Sequence, residues 1–144
     1  MNVPVVLIST DESVAGVGVR ILSACLMEEG FETVVILLPT SEKTYNNIDD
    51  DLINICKNAL LIGISCMTHG VKKAIEIKQI IDKKLDIPFF IGGIHASLVP
   101  ESLIGVFKYV CHGEGEDMIV EIARRIKNNE ALLDIPGLWI NNDG

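Results

Sequence analysis

Two glycine-rich segments carry the residues of this sequence that could do chemistry. The first, at residues 91–101, reads IGGIHASLVPE, and the second, at residues 112–116, reads HGEGE. Each follows an apolar run of strand length, so each begins where a buried strand would end. Glycine at such a position permits positive φ angles and lets a ligand approach the backbone closely. Together the segments indicate a binding rim, although two ordinary strand-to-helix turns would give the same spacing.

The polar side chains of this rim favour binding over catalysis. His69, His95 and His112 do not have the mutual spacing of metal ligands, and each is expected to hydrogen-bond nearby backbone. Of the three, His95 is the best placed to contact a ligand, because it follows the Gly-Gly turn. Glu114 and Glu116 precede a predicted helix, whose dipole stabilises the carboxylate and makes it a poor general acid. We therefore expect neither a catalytic residue nor a metal site in this chain.

The chain alternates between apolar runs and segments with helical periodicity. This alternation predicts an α/β domain with a parallel sheet and right-handed crossovers. The favoured arrangement is a flavodoxin-like or Rossmann-like three-layer sandwich, with a five-stranded parallel sheet in the order 2-1-3-4-5. The strands are predicted at residues 3–8, 31–38, 60–65, 87–91 and 106–111.

Two details of the helices can also be predicted. Thr68 is expected to cap the helix that follows the third strand. The apolar period of the first helix runs through Val14, Val17, Ile21 and Cys25, with Leu22 and Leu26 alongside.

The strand order predicts where a ligand would bind. In an open α/β sheet, ligands lie beyond the carboxyl ends of the strands, at the point where the strand order reverses. That point falls between the first and third strands, which are followed by loops at residues 10–16 and 66–70. The loops at residues 93–99 and 112–116 extend the same edge, so both glycine-rich segments belong to the expected site.

The two segments also resemble a known family. GGIHASLVPE followed by HGEGE is similar to the N-terminal cobalamin-binding (B12-binding) domain of B12-dependent radical-SAM proteins, in particular the magnesium-protoporphyrin IX monomethyl ester cyclase-like family. Cobalamin-binding domains carry Asp-x-His-x-x-Gly after the first strand. Here Asp11, Ser13 and Gly16 occupy that frame, with serine in place of the histidine. Ser65 and Met67 match the second motif, and the resemblance covers nearly the whole chain.

The third motif of the resemblance is the pair Gly92 and Gly93. With Gly63 and Ser65 they are small residues on two neighbouring strands, as a slot for a planar base requires. The resemblance implies cobalamin bound base-off. Because a serine hydroxyl is a weak donor to cobalt, no nitrogen ligand is expected from the loop of Ser13. The expected cofactor-binding residues are Thr10, Asp11, Ser13, Gly16, Ser65, Met67, Thr68, His69, Gly92, Gly93, His95, Ala96, Gly113, Glu114 and Gly115.

The end of the chain predicts more protein downstream. Residues 1–134 form the expected cobalamin-binding domain. Residues 135–144 read as a sixth strand and the start of a linker hairpin to a missing C-terminal radical-SAM domain. The four cysteines lack the spacing of a cluster motif, so a 4Fe-4S cluster and S-adenosylmethionine are expected only in that domain. The resemblance implies methyl transfer or a radical cyclisation or rearrangement by the full-length protein, with this fragment non-catalytic.

Composition narrows the remaining classes. The chain has 144 residues, 49% of them hydrophobic, and a net charge of −8. This charge argues against nucleic acid or an anionic membrane surface as partner, since both need a basic face. No apolar run is long enough to span a bilayer, and the N-terminus lacks the basic region of a signal peptide, so a cytoplasmic location is expected.

Three alternatives differ in what they require of the loops. A signalling receiver domain needs a phosphorylatable aspartate at the end of the third strand, where Ser65 stands, and a lysine after the fifth strand. A flavodoxin-like redox protein needs a phosphate loop after the first strand, where Asp11 and Glu12 would oppose a phosphate. A degenerate B12-type domain that serves only as a substrate or interdomain interface stays open.

Overall fold

The computed structural model describes residues 3–10, 16–38 and 48–142 of the chain. Within these ranges, six strands alternate with five α-helices, and 3₁₀ turns cover Thr68–Gly70 and Pro100–Ser102. The strands are β1 (Val5–Ser9), β2 (Thr33–Leu37), β3 (Leu61–Ser65), β4 (Phe89–Gly92), β5 (Tyr109–Cys111) and β6 (Leu138–Ile140). The helices are α1 (Gly16–Glu28), α2 (Ile48–Cys56), α3 (Val71–Asp82), α4 (Ile94–Leu98) and α5 (Glu116–Lys127).

The strands form a single sheet in the order β2-β1-β3-β4-β5-β6. The first five are parallel to one another, which confirms the predicted α/β class and the order 2-1-3-4-5. The sheet differs from the predicted five strands by β6, which pairs antiparallel with β5 and places Trp139 opposite Val110. The reversal of strand order between β1 and β3 puts the expected ligand edge at their carboxyl ends.

Both faces of the sheet are covered by helices. Successive side chains of a strand point to opposite faces, so Val6 and Ile8 of β1 pack in one core and Val5 and Leu7 in the other. The first core is completed by α2 and α3, and the second by α1 and α5. Because β1 is buried along its whole length, its residues 5–8 form a continuous apolar run rather than an alternating one, and the buried Ser9 ends the strand.

Helix α1 buries only part of the predicted stripe: Leu26 is buried and Leu22 packs against the same core, as expected. Val17 and Ile21, both in the predicted stripe, are 46% and 44% exposed. Val14 lies outside the described residues. Apolar residues occur around most of this helix, so periodicity alone could not select the packed face. The residues that α1 buries are Gly16, Val19, Ser23 and Leu26.

The buried serine of α1 explains why its packed face was hard to predict. Ser23 and Thr33 of the neighbouring β2 place their hydroxyl oxygens 2.5 Å apart, so each satisfies the other. A buried hydroxyl with a partner carries little penalty, whereas an isolated one would be costly. The polar residue therefore marks the interior here and not the surface.

The segment after β4 is more regular than predicted. Residues 93–99 were expected to form a loop, yet α4 starts directly after Gly93 and is followed by the 3₁₀ turn at Pro100–Ser102. Strand β5 consequently begins at Tyr109 and not at residue 106. The reason is local hydrogen bonding, because the backbone N–H of Phe107 still donates to Leu103 O at 2.8 Å and holds this stretch in a turn.

The capping role expected of Thr68 was wrong. Helix α3 begins after Gly70, which makes no side-chain capping hydrogen bond. Thr68 instead opens the 3₁₀ turn that precedes the helix, and its hydroxyl contacts His95 of α4. The turn satisfies the early backbone groups, since Gly70 N–H donates to Met67 O at 2.9 Å.

The C-terminal part of the domain is fixed by charged and polar side chains. Arg125 Nε donates to Glu121 Oε1 at 2.6 Å, and its Nη1 donates to Leu133 O at 2.5 Å. Hydrogen bonds from Arg124 and Arg125 lower the pKa of Glu121 to about 2. Asn141 Nδ2 donates to Ile104 O at 2.6 Å, which ties the end of β6 to the segment before β5. Across the described ranges, no helix is both long and apolar enough to cross a membrane.

Candidate functional site

A groove opens at the carboxyl edge of the sheet, on the face covered by α1 and α5. Its volume is about 170 Å³, and the glycine-rich ends of β4 and β5 form part of its wall. The sequence predicted a site at this edge, and the groove lies there. Helix α1 contributes Gly18, Val19 and Leu22 to the wall. Helix α5 contributes Glu116, Met118 and Ile119, and Gly115 lies directly before α5.

The register of the sheet creates the floor of the groove. Leu7, Gly63 and Phe90 are neighbours in one row across β1, β3 and β4. Because Gly63 has no side chain, the row has a gap between the two larger residues, and a Cβ there would lie 3.2 Å from Leu7 Cδ2. Two residues further along the strands, Ser65 pairs with Gly92, so no large side chain rises from the floor between there and the edge of the sheet. A flat floor of small residues between two helices suits a planar ring.

Gly93 has a conformation that side chains rarely adopt. Its φ is 99° and its ψ is −172°, a region occupied almost only by glycine. A Cβ at this position would lie 2.7 Å from the carbonyl oxygen of Cys66 and 2.8 Å from Ser65 Oγ. The turn after β4 therefore packs its backbone directly against the end of β3, and both features require glycine.

The groove has few polar side chains. Among its lining residues, Ser65, Cys111 and Glu116 carry a polar or titratable side chain. Burial raises the pKa of the Cys111 thiol to about 12, so the thiol is protonated at neutral pH and forms a small, nearly apolar part of the wall. Glu116 is half-buried at the first residue of α5, where the helix N-terminus favours a carboxylate. The site can thus enclose an apolar ring with little hydrogen bonding to it.

His95 does not line the groove, although the sequence marked it as the histidine best placed to meet a ligand. Its Nδ1 lies 3.1 Å from Thr68 Oγ1 and its Nε2 lies 2.9 Å from Ser102 Oγ. Both ring nitrogens are thereby engaged with neighbouring loops. Ala96 is fully buried in the core shared with α2 and α3, so it too faces away from the groove.

Thr10 is buried at the end of β1 with an unsatisfied hydroxyl. Within the described ranges its Oγ1 has no hydrogen-bond partner, while its backbone N–H donates to Ser65 O at 3.3 Å. The hydroxyl faces Gly70, where a Cβ would collide with it. Asp11 and Ser13, which follow in the sequence motif, lie outside the described residues.

The other predicted residues divide between the groove and the surrounding loops. Gly16 is buried at the start of α1, where a Cβ would lie 3.2 Å from Leu37 Cδ2. Met67, His69 and Glu114 lie on loops at the same edge without lining the groove. The predicted residues that do line it are Ser65, Gly92, Gly93, Gly113 and Gly115.

Sequence reasoning missed most of the apolar wall. Phe90 and Cys111 occupy the same face as Gly92, a placement that strand alternation could have supplied once the groove face was known. Gly18 carried the clearest signal, because a glycine early in a helix lets the backbone approach a ligand. A Cβ at Gly18 would meet no atom of the described residues within 4 Å, so on their side this position is open.

Residues 3–123 match the family model described as the B12 binding domain. This chain belongs to the B12-binding domain family. The match spans the sheet from β1 to β5 and most of α5, so it includes every wall of the groove. No curated protein matches the chain.

Three solved structures of larger proteins share the fold of this chain. Two are of TsrM from Kitasatospora setae, a radical S-adenosylmethionine methyltransferase, at 25% identity. One holds a tryptophan substrate and a SAM analogue (TM-score 0.84, 96% of this chain), and the other holds cobalamin and a [4Fe-4S] cluster (TM-score 0.85, 99%). The cobalamin-dependent radical enzyme OxsB with aqua-cobalamin shares the fold at 21% identity, a TM-score of 0.75 and 99% of this chain. This chain spans 28% of the TsrM chains and 21% of the OxsB chain.

The groove of this B12-binding domain fits the base of a corrinoid nucleotide tail. An apolar cavity of about 150 Å³ is enough to hold a benzene ring in other proteins. The volume here, about 170 Å³ with an open side, therefore suits a bicyclic base whose remaining atoms extend outward. The cradle is formed by missing side chains at Gly63, Gly92 and Gly93, each of which a Cβ would narrow or block.

Proposed function

We propose that this chain binds cobalamin base-off, with the nucleotide base in the groove and the corrin over the carboxyl edge of the sheet. The groove floor carries the proposal, because Gly63 and Gly92 leave a flat, apolar slot between α1 and α5. Membership of the B12-binding family supports the same ligand. When bound, cobalamin would supply a cobalt centre for methyl transfer or radical chemistry, and the chain's residues would hold and orient it.

The residues proposed to hold the cofactor act mainly through shape. Leu22, Met118 and Ile119 would pack on the base from the helix side, and Phe90 would close the inner end. Ser65 Oγ and the Glu116 carboxylate could hydrogen-bond the sugar or the base edge. Thr10, Asp11 and Ser13 are further proposed contacts, because the buried hydroxyl of Thr10 lies at the same edge and has no partner among the residues that the structure describes.

The lower face of cobalt is proposed to receive no protein nitrogen. Serine stands where related domains carry a histidine, and a hydroxyl is a weak donor to cobalt. The engagement of both nitrogens of His95 supports this proposal, because neither is available without breaking a hydrogen bond. The electron paramagnetic resonance spectrum of the cob(II)alamin form should lack nitrogen superhyperfine splitting, and splitting that disappears in His69→Ala would contradict the proposal.

The full-length protein is proposed to be a radical-SAM enzyme that continues beyond this chain. The TsrM and OxsB chains are several times longer than this one, and TsrM also holds a [4Fe-4S] cluster. The proposal includes a relationship to the magnesium-protoporphyrin monomethyl ester cyclase-like family. The reaction proposed for the full-length protein is cyclisation, rearrangement or methyl transfer. Four free cysteines fit a reducing compartment such as the cytoplasm.

Retention of hydroxocobalamin tests the binding proposal. The purified chain is incubated with hydroxocobalamin and desalted, and the corrin absorption is measured per chain. About one corrinoid per chain is expected, and Gly63→Leu should abolish retention because its side chain fills the floor of the slot. Val17→Leu, on the exposed face of α1, is the control. A folded wild type that retains no corrin would favour a domain that serves only as an interface.

A further inference from the structure

Three loops of the candidate site meet at the short helix α4. His95 of this helix contacts Thr68 in the loop after β3, at 3.1 Å. Ser97, two residues on, accepts a 3.0 Å hydrogen bond from the backbone N–H of Gly113 in the loop after β5. The loop after β5 carries Gly113, and the other two loops lie beside Ser65 and Gly93. These three residues line the groove. Side chains of one helix thus connect three separate parts of the groove wall.

The hydrogen bonds around His95 determine which ring nitrogen carries the proton. Ser102 Oγ donates its hydrogen to Val99 O at 2.8 Å, so towards the imidazole it can only accept. The partner 2.9 Å away, His95 Nε2, is therefore the N–H donor. Nδ1 then carries a lone pair and accepts from the hydroxyl of Thr68. In this tautomer one ring nitrogen donates and the other accepts, and both have a partner.

We infer that α4 is a staple for the groove, and that His95 and Ser97 are positioning residues that act without touching the cofactor. Through Thr68, His95 fixes the loop after β3 to the loop after β4. Ser97 fixes the loop after β5 to the same helix and holds Gly113 at the groove. The effect on cofactor affinity rests on the proposed function, whereas the staple itself is a property of the protein alone.

The expected effects are moderate, because each side chain contributes one or two hydrogen bonds. Losing a hydrogen bond that orders a loop should weaken cobalamin binding by about tenfold for His95→Ala, and by somewhat less for Ser97→Ala. Thr68→Val removes the same connection from the other side, so its effect should resemble that of His95→Ala. Thr68→Ser keeps the hydroxyl and should restore most of the affinity.

Hydrogen exchange tests the staple without any cofactor. In Ser97→Ala, exchange of the Gly113 amide should accelerate several-fold, since its acceptor is gone, while Ser97→Thr should keep it slow. Nitrogen-15 shifts of His95 should report the Nε2–H form in the wild type and a change in Thr68→Val. Unchanged exchange at Gly113 in Ser97→Ala would overturn the role of Ser97.

A double-mutant cycle tests the coupling between the loops. His95→Ala and Thr68→Val should each raise the cobalamin dissociation constant about tenfold, and the double variant should be no weaker than the weaker single variant. Glu101→Ala, an exposed neighbour on the 3₁₀ turn, is the control with wild-type affinity. Additive losses, or no loss in Thr68→Val, would overturn the inference for His95. If wild type binds no corrinoid, the proposed function fails, while hydrogen exchange still decides the staple.

Discussion

A substitution at Gly18 should affect cofactor binding without lowering the stability of the domain. Gly18 lies in the first turn of α1 and lines the groove, and no atom of residues 3–10, 16–38 or 48–142 lies within 4 Å of the place where its Cβ would stand. Leucine is a better helix former than glycine by up to about 0.8 kcal/mol. Gly18→Leu should therefore leave the free energy of unfolding unchanged or raise it by up to that amount.

The same substitution should reduce cobalamin binding strongly. An isobutyl group in a groove of about 170 Å³ leaves too little room for a bicyclic base. Burying an aromatic ring removes roughly 150 Å² of apolar surface from water, which at about 25 cal/mol per Å² corresponds to about 4 kcal/mol. Complete exclusion of the base would thus weaken binding by roughly three orders of magnitude, and partial exclusion by about two.

Two measurements on each variant check this prediction. Urea unfolding followed by circular dichroism gives the free energy of unfolding, and titration with hydroxocobalamin gives the dissociation constant. Val17→Leu is the matched control, because it changes the adjacent residue on the exposed side of the same helix. Cobalamin affinity that stays at the wild-type value in folded Gly18→Leu would show that the groove does not hold the base.

Three further predictions concern single positions of the groove and its ligand. Gly93→Ala should lower the free energy of unfolding by at least about 2 kcal/mol, because strain from the positive φ angle adds to a clash with the Cys66 backbone. Gly113→Ala has the same strain but meets no described atom within 4 Å, so it should cost about 1 kcal/mol. Equal losses of stability in urea unfolding would contradict the steric argument. Because the pKa of Cys111 is raised to about 12 in the folded state, the folded protein keeps a thiol proton that the unfolded chain loses above about pH 9. The free energy of unfolding should therefore fall by up to about 1.4 kcal/mol per pH unit as pH rises from about 9 towards about 12. An equally steep fall in Cys111→Ala would exclude this thiol as the source. Corrinoids with an adenine base should bind about tenfold more weakly than cobalamin, because the apolar inner groove leaves the purine nitrogens without hydrogen-bond partners. Equal dissociation constants for the two corrinoids would contradict the proposal that an apolar floor holds the base.

Periodicity and connectivity were sufficient to predict the fold. In β1, Val5–Ser9, the first four residues are apolar because this strand lies between two neighbours and under helices on both faces. Such runs, alternating with helical segments, allow few topologies once crossovers are right-handed. Gly93 was predictable for a similar reason, since a strand end that must turn sharply and touch another backbone leaves little choice of residue.

The packed face of α1 and the helix after β4 were not predictable in this way. Val19 and not Val17 is buried, on the face where Ser23 meets Thr33 of β2, a contact between two elements that helical periodicity does not encode. Helix α4 has five residues, too few for a periodic signal, and exists because its side chains bind loops on either side. In both cases tertiary hydrogen bonds, absent from any local pattern, decide the structure.

The motif GGIHAS therefore divides into two kinds of residue. Gly92 and Gly93 belong to the groove because they lack side chains, and their effect could be inferred from residue type alone. His95 was predicted to contact the ligand because it follows the glycines, yet both of its ring nitrogens hydrogen-bond within the protein, as does the hydroxyl of Ser97. A short binding motif needs both, because a slot without side chains has no contacts of its own to hold its walls in place. In the proposed staple, His95 and Ser97 supply such contacts, so polar residues beside the glycines would serve the groove through its walls.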